Sequence, residues 1–163
     1  MTPEQLFLED FDLHNLQTIK RTIKKNRAAY GIKMDDGEGP DHYDLKEDIY
    51  WMLDRKYRND TKFFITTELK QVYNPFVSEL DKSTEYYKFF KLDICVIYFD
   101  KPRKPMILDV EIDGENHYKK KQMDKDKVRD GLLKMRYNVD TERIDVSDPD
   151  FQHVTAYLHN RIG

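Results

Sequence analysis

Met106–His117 reads MILDVEIDGENH. Leu108, Val110 and Ile112 alternate with Asp109, Glu111 and Asp113, and successive side chains of a strand point to opposite faces. One face of this strand is therefore aliphatic and the other carboxylate. Like charges spaced about 7 Å apart along a strand repel one another, so the carboxylate face must be wet or must hold a cation. Gly114 ends the strand and His117 follows a turn later. Carboxylates at a strand end with a histidine close behind point to a metal-dependent hydrolytic site. The plainer alternative is an edge strand with a solvated acidic face.

The segment upstream bears on that choice. Phe89–Phe99, FFKLDICVIYF, is apolar at nearly every position, as suits a strand covered on both faces. Asp93 sits in its middle. A buried carboxylate is costly unless something compensates it, either a cation or a structural ion pair with a lysine or arginine. The polar, proline-containing link Asp100–Pro105 joins the two strands as a hairpin, which brings Asp93 near Glu111. Two carboxylates from paired strands make a pocket suited to a hard cation such as Mg²⁺.

The order Asp93, then V-E-I-D-G-x-x-H over Val110–His117, then Asp126-x-x-Arg129 with Leu132 and Leu133 behind, resembles the very-short-patch-repair-like endonucleases. These are the Glu–Asp–x–His–Asp branch of the PD-(D/E)XK, restriction-endonuclease-like superfamily. The match runs from about Tyr86 to Ile144. Asp113 stands where the broader superfamily often has a lysine, and Met135–Val139 lacks the glycine usual before the last strand. The resemblance implies a metal-dependent DNA endonuclease using Mg²⁺, with Mn²⁺ as substitute. By it Asp93 and Glu111 hold the metal, and Glu111 also positions the attacking water. His117 serves as general base or supports the leaving group. Asp113 and Asp126 belong to the site, and Asp126 backs His117 or Arg129. Glu47 is the candidate for the family's glutamate on the preceding helix. The implied setting is phage or mobile-element DNA processing, repair or restriction.

The chemistry is consistent with these groups. Carboxylate-held divalent ions lower the pKa of bound water, and histidine exchanges protons near neutrality. The remaining histidines carry less: His14 and His42 read as surface residues, and His153 and His159 fall in a C-terminal helical segment. No zinc spacing and no phosphate-binding G-x-x-x-x-G-K-[ST] loop is present, so neither zinc nor a nucleotide cofactor is expected. Cys95, the single cysteine, lies in the apolar strand and reads as core.

The 163 residues suit one main domain. One cysteine excludes an internal disulfide scaffold and fits a reducing, cytoplasmic setting, and no apolar run is long enough for a membrane span. With 28 basic and 31 acidic residues the net charge is −3, which is no global nucleic-acid footprint. The basic charge is instead clustered. Lys20, Arg21, Lys24, Lys25 and Arg27 form one acid-free run, and Lys119, Lys120 and Lys121 follow His117. Together with Arg129 these are the expected contacts to a duplex or branched DNA backbone. Tyr118 is the aromatic expected nearest the substrate.

Residues 3–30 read as helices with Leu6, Leu13, Leu16, Ile19 and Ile23 on one stripe, an N-terminal extension over 1–34 that binds DNA or supports a homodimer. The Gly- and Asp-rich stretch 33–42 separates it from a domain over 43–163. Within that domain the pattern predicts a helix over 43–57 and strands over Lys62–Val72, Tyr86–Phe99 and Met106–Asp113. A helix over Gln122–Arg136 follows, with Val128, Leu132 and Met135 on one side. A strand over Asn138–Val146 and a last helix opened by Asp148-Pro149-Asp150 complete it. This is the αβββαβ order of the restriction-endonuclease-like core, an α/β (α+β) fold with a central mixed sheet flanked by helices. Two other functions fit the same residues: a nucleic-acid-binding module that has lost catalysis, and a protein-interaction domain such as a regulator or inhibitor.

Overall fold

The computed structural model describes residues 1–11, 40–69, 91–101, 103–114 and 120–163. They form α1 (Pro3–Asp10), α2 (Pro40–Tyr57), β1 (Phe63–Leu69), β2 (Leu92–Tyr98), β3 (Met106–Asp113), α3 (Lys120–Tyr137), β4 (Asp140–Asp145) and α4 (Gln152–Ile162). The strands lie in the order β1-β2-β3-β4. β1–β2 and β2–β3 are antiparallel, and β3–β4 is parallel. The expected mixed sheet flanked by helices is thus what the chain forms. The β2–β3 hairpin closes where the Lys104 N–H donates to the Lys101 carbonyl at 3.0 Å. The parallel β3–β4 step needs a crossover, and α3 supplies it.

Period-two alternation sorts the strand residues into two cores. On one face Cys95, Ile97 and Ile107 meet Phe7 and Phe11 at the N-terminus and Leu133 and Tyr137 of α3. On the other, Ile65, Ile94, Val96, Leu108, Val110, Ile112 and Ile144 meet Ile49 and Leu53 of α2 and Val154 and Leu158 of α4. Strand β3 is therefore interior, with β2 on one side and β4 on the other. The alternative of an edge strand with a solvated acidic face is excluded: Asp109 is 0% exposed and Glu111 7%.

Several sequence expectations are corrected here. In α3 the inward residues are Asp126, Arg129, Leu133 and Tyr137, at helical spacing. Val128 and Met135 instead face solvent, 41% and 65% exposed. Apolar periodicity misread this helix because two of its inward positions are charged. The last helix begins at Gln152 after Phe151, so Pro149 lies before it; the Gln152 N–H is satisfied by Asp150 Oδ1 at 3.0 Å. Finally, α1 packs into the main core rather than standing apart from it. Its start is fixed by a capping box in which Thr2 and Gln5 exchange hydrogen bonds. Phe7 and Phe11 pack edge-on against Tyr137, and the Tyr137 hydroxyl donates to Asp10 Oδ2 at 2.6 Å. The rest of the proposed extension, including its basic run, lies outside the described residues, as does the Gly- and Asp-rich stretch up to residue 39; its last residues are corrected from loop to helix, since α2 begins at Pro40. Among the described residues no helix is long and apolar enough to cross a membrane.

Because Phe7 is wholly buried, Phe7→Ala is expected to cost about 3–5 kcal/mol, read as a lower urea midpoint; a loss below about 1 kcal/mol would make α1 an appendage after all. Asp140 tests a partly exposed cluster. Burial works to raise its carboxyl, and hydrogen bonds from Lys134 and Tyr157 overcome that and hold it below the usual range. A lowered carboxylate stabilises the fold above its unfolded pKa, and that contribution is lost as pH falls through the folded value. Asp140→Asn should then cost about 1 kcal/mol or less at pH 7, since solvent screens the cluster, and thermal melts of the two proteins should converge in acid.

Candidate functional site

The β2–β3 ladder runs from Tyr98–Met106 to Ile94–Val110. One step further the strands would pair Asp93 with Glu111, and there the side chains take over from the backbone. The Asp93 N–H donates to Glu111 Oε2 at 3.3 Å, and the Ile112 N–H donates to Asp93 Oδ2 at 2.9 Å. Buried N–H groups need acceptors, so two carboxylates are fixed in a fork between two central strands. Asp109 follows on the same face of β3, opposite Cys95.

The charge of this face is met from α3. Arg129, 7% exposed, places Nη1 3.0 Å from Asp109 Oδ2 and 3.0 Å from Asp130 Oδ1. Its Nη2 contacts Glu111 Oε1 and donates to the Lys91 carbonyl. One guanidinium is thereby divided among three acids. Burial, with Asp109 and Asp93 nearby, pushes Glu111 well above the ordinary carboxylate range against the pull of Arg129. Burial likewise raises Asp109, to about 7, despite Arg129. For Asp93 burial acts in the same sense, but hydrogen bonding from His42, Glu111 and the Ile112 N–H outweighs it and holds the carboxyl well below the usual range. The two acids of the fork are thus pushed in opposite directions, Asp93 below and Glu111 above the ordinary carboxylate range.

Residues not singled out in the sequence complete the surroundings. Glu68 interrupts β1 with φ 52°, a conformation uncommon for any residue but glycine. Its Oε1 lies 2.8 Å from Lys46 Nζ, and its Oε2 3.5 Å from Lys91 Nζ. Burial raises the Glu68 carboxyl and nearby Asp93 adds to it, while Lys46 and Lys91 oppose. Lys91 Nζ is also 3.9 Å from Asp93 Oδ1, and His42 Nε2 is 3.7 Å from Asp93 Oδ2. His42 is therefore corrected from a surface residue to one lining the fork. On α2 the residue turned inward is Lys46, 0% exposed; its neighbour Glu47 stays partly exposed, outside the cluster.

Asp113 and Asp126 belong to a second, adjoining cluster around Arg143. Arg143 Nη1 lies 2.8 Å from Asp113 and 3.5 Å from Asp126, and Nε and Nη2 clasp Asp130 at 2.9 and 2.8 Å. Asp130, bound to both arginines, joins the two clusters. Beside them opens a cavity of about 320 Å³ lined by Asp113, Met123, Asp126, Lys127, Arg143 and Asp145. Arg129 is corrected from a DNA contact to an interior residue, since its guanidinium is spent on buried acids. Lys120 is exposed at the start of α3. His117, Tyr118, Lys119, Lys20, Arg21, Lys24, Lys25 and Arg27 lie outside the described residues, and so does the side chain of Lys121.

Among the described residues no group of three or more His, Cys, Asp or Glu side chains is placed to hold a metal ion, so a structural zinc-type cage is not built here. Mg²⁺ is commonly held by one or two carboxylates, with waters and substrate phosphate completing its shell, and Asp93 with Glu111 supplies that number. Asp109 Oδ1, buried and without a hydrogen-bond partner, adds negative potential beneath them. Comparison with protein-family models, curated proteins and solved structures returns no match.

Removing Arg129 leaves Asp109 and Glu111 buried without their cation, and breaking such a pair costs about 3–5 kcal/mol. Arg129→Met is expected to lose that much in urea unfolding. Adding Asp109→Leu should recover part of the loss, because it removes the stranded charge; a deeper loss in the double variant would mean that Asp109 is stabilising in its own right.

Proposed function

We propose that this chain is a Mg²⁺-dependent DNA endonuclease, with Mn²⁺ as substitute, built on a restriction-endonuclease-like core. The observation that carries the reading is the Asp93–Glu111 fork: two acids eighteen residues apart, meeting between interior strands, each accepting a backbone N–H of the other strand. The αβββαβ element order, with three antiparallel strands and a fourth parallel to the third, supports the fold half of the proposal. A bound divalent ion supplies Lewis acidity and an activated water. Asp93 and Glu111 would hold it. Arg129 fixes the rotamer of Glu111 from below, and His117 would take or give the proton of the attacking water or leaving oxygen. Arg143 holds Asp113 and Asp126 in place, a supporting role rather than the direct one their position in the motif implies. The substrate is a duplex or branched DNA backbone met by the basic runs, with a homodimer placing two sites on two strands.

One observation favours a second reading. Arg129 contacts Glu111 directly, as a permanent internal counter-ion would. On that reading the chain keeps the fold and binds nucleic acid or protein without cutting.

Nicking of supercoiled plasmid, branched DNA, single strands and RNA with Mg²⁺, Mn²⁺ or EDTA separates the two. Asp93→Asn and Glu111→Gln keep size but exchange one acceptor oxygen for an NH2 donor, so each should melt lower than wild type while remaining folded by circular dichroism, and should lose about a hundredfold or more in metal-dependent nicking. A folded wild-type protein that cuts nothing and takes up no Mg²⁺ by calorimetry would leave the second reading standing.

A further inference from the structure

A carboxylate fork repels the phosphodiester it is proposed to cut, so a cation must meet the substrate at its mouth. Two lysines flank Glu68, one at each carboxylate oxygen, and they differ in access. Lys46 is fully enclosed with Nζ 2.8 Å from Oε1. Lys91 is 34% exposed, with Nζ 3.5 Å from Oε2 and 3.9 Å from Asp93 Oδ1. Lys91 is also fixed from beneath, because Arg129 donates to its carbonyl. Its stem therefore leaves the sheet at a defined point, beside the first residue of β2, and its ammonium lies over the fork.

The charges assign different work to the two lysines. Lys46 offsets Glu68 inside the protein. Lys91 shares Glu68 with Lys46 and lies against Asp93. Once Asp93 turns its charge to a divalent ion, the ammonium of Lys91, partly exposed, is a positive group over the same fork with a path to solvent. The backbone at Glu68 is left-handed, a strained conformation for a residue with a side chain that persists only where its surroundings over-determine it. Here its carboxylate is held between the two lysines.

Resting on the nuclease reading, we infer that Lys91 contacts the phosphate of the substrate backbone at this site, and that Glu68, backed by Lys46, is the positioning residue that holds it there. The ligand class is a nucleic-acid phosphodiester whose charged oxygen lies between Lys91 and the fork.

The test uses a labelled mixed-sequence duplex oligonucleotide with the full chain. Affinity is measured across a KCl series with Ca²⁺ in place of Mg²⁺, so that the carboxylates have a divalent ion while the DNA stays intact, and nicking in Mg²⁺ at saturating DNA. Lys91→Ala should flatten the slope of log affinity against log salt by about 0.9, the value of one phosphate contact. It should also slow saturated nicking by about tenfold while leaving the melting temperature in place. Lys91→Arg should restore the slope. Glu68→Gln should slow nicking by less, and should add nothing in the double variant with Lys91→Ala, because a positioning residue acts only through the group it positions. An unchanged salt slope in Lys91→Ala overturns the inference, even if Mg²⁺ half-saturation shifts, because Lys91 then only offsets Asp93 and Glu68. In that case nicking by wild type, lost in Glu111→Gln, leaves the nuclease reading intact. A wild-type protein that neither binds nor nicks the duplex overturns both.

Discussion

The buried guanidinium of Arg129 is the interaction on which the rest of this structure depends. Strand β3 carries Asp109 and Glu111 into the space between the sheet and α3, where neither can be ionised without a partner. Arg129 reaches both and ties them to the Lys91 carbonyl, so the start of β2, the end of β3 and the helix that crosses between β3 and β4 are held at one point. Because that one cation serves several acids, the cluster stays acid-rich, and burial raises the carboxyls of Asp109 and Glu111 against its pull. Stability and the ionisation of these acids are thus set by the same contact.

Around that point the charged residues fall into three linked groups: Lys46, Glu68 and Lys91 on the β1 side; Asp93, Glu111, Asp109 and Arg129 at the centre; and Arg143 with Asp113, Asp126 and Asp130 on the β4 side. Lys91 bridges the first two and Asp130 the last two. All sit at the end of the sheet where β3 and β4 finish and β2 begins. Farther along the same face the sheet is closed by Phe7, Phe11, Leu133 and Tyr137. Apolar packing at one end fixes the strands, which lets the other end carry a density of charge that would not fold alone. Arranged in this way, Asp113, Asp126 and Asp130 meet Arg143, Asp109 and Glu111 meet Arg129, and Asp93 meets neither arginine. Glu111 and Asp113 thus find different partners although they stand two residues apart on one strand.

Much of this was legible in the sequence, for reasons that differ by element. Alternation in Met106–Asp113 located β3 to the residue, because period-two burial leaves a direct mark on composition. Unbroken apolarity around Asp93 marked β2 as covered on both faces, and the short polar link between them made the hairpin. The inward face of α3 was not legible, since Asp126 and Arg129 break the apolar period that would reveal it. Neither was Glu68, which has no neighbour in sequence to mark it, nor Lys46, whose partner is twenty-two residues away. Glu47 answers to the glutamate that the resemblance implies on this helix, but helical phase turns Lys46 inward instead.

By itself, then, the sequence determined the elements, the mixed sheet and the two acids that must find a counter-charge, because burial pattern and charge placement are local properties of the chain. Which counter-charge each acid receives was decided only by the tertiary structure. Glu111 meets Arg129, Asp113 meets Arg143, and Asp93 is left with Lys91 and His42 at the mouth of the fork. Ion pairs form across elements brought together by packing, at distances set by helix phase and strand register, and nothing in the spacing of residues along the chain encodes those distances.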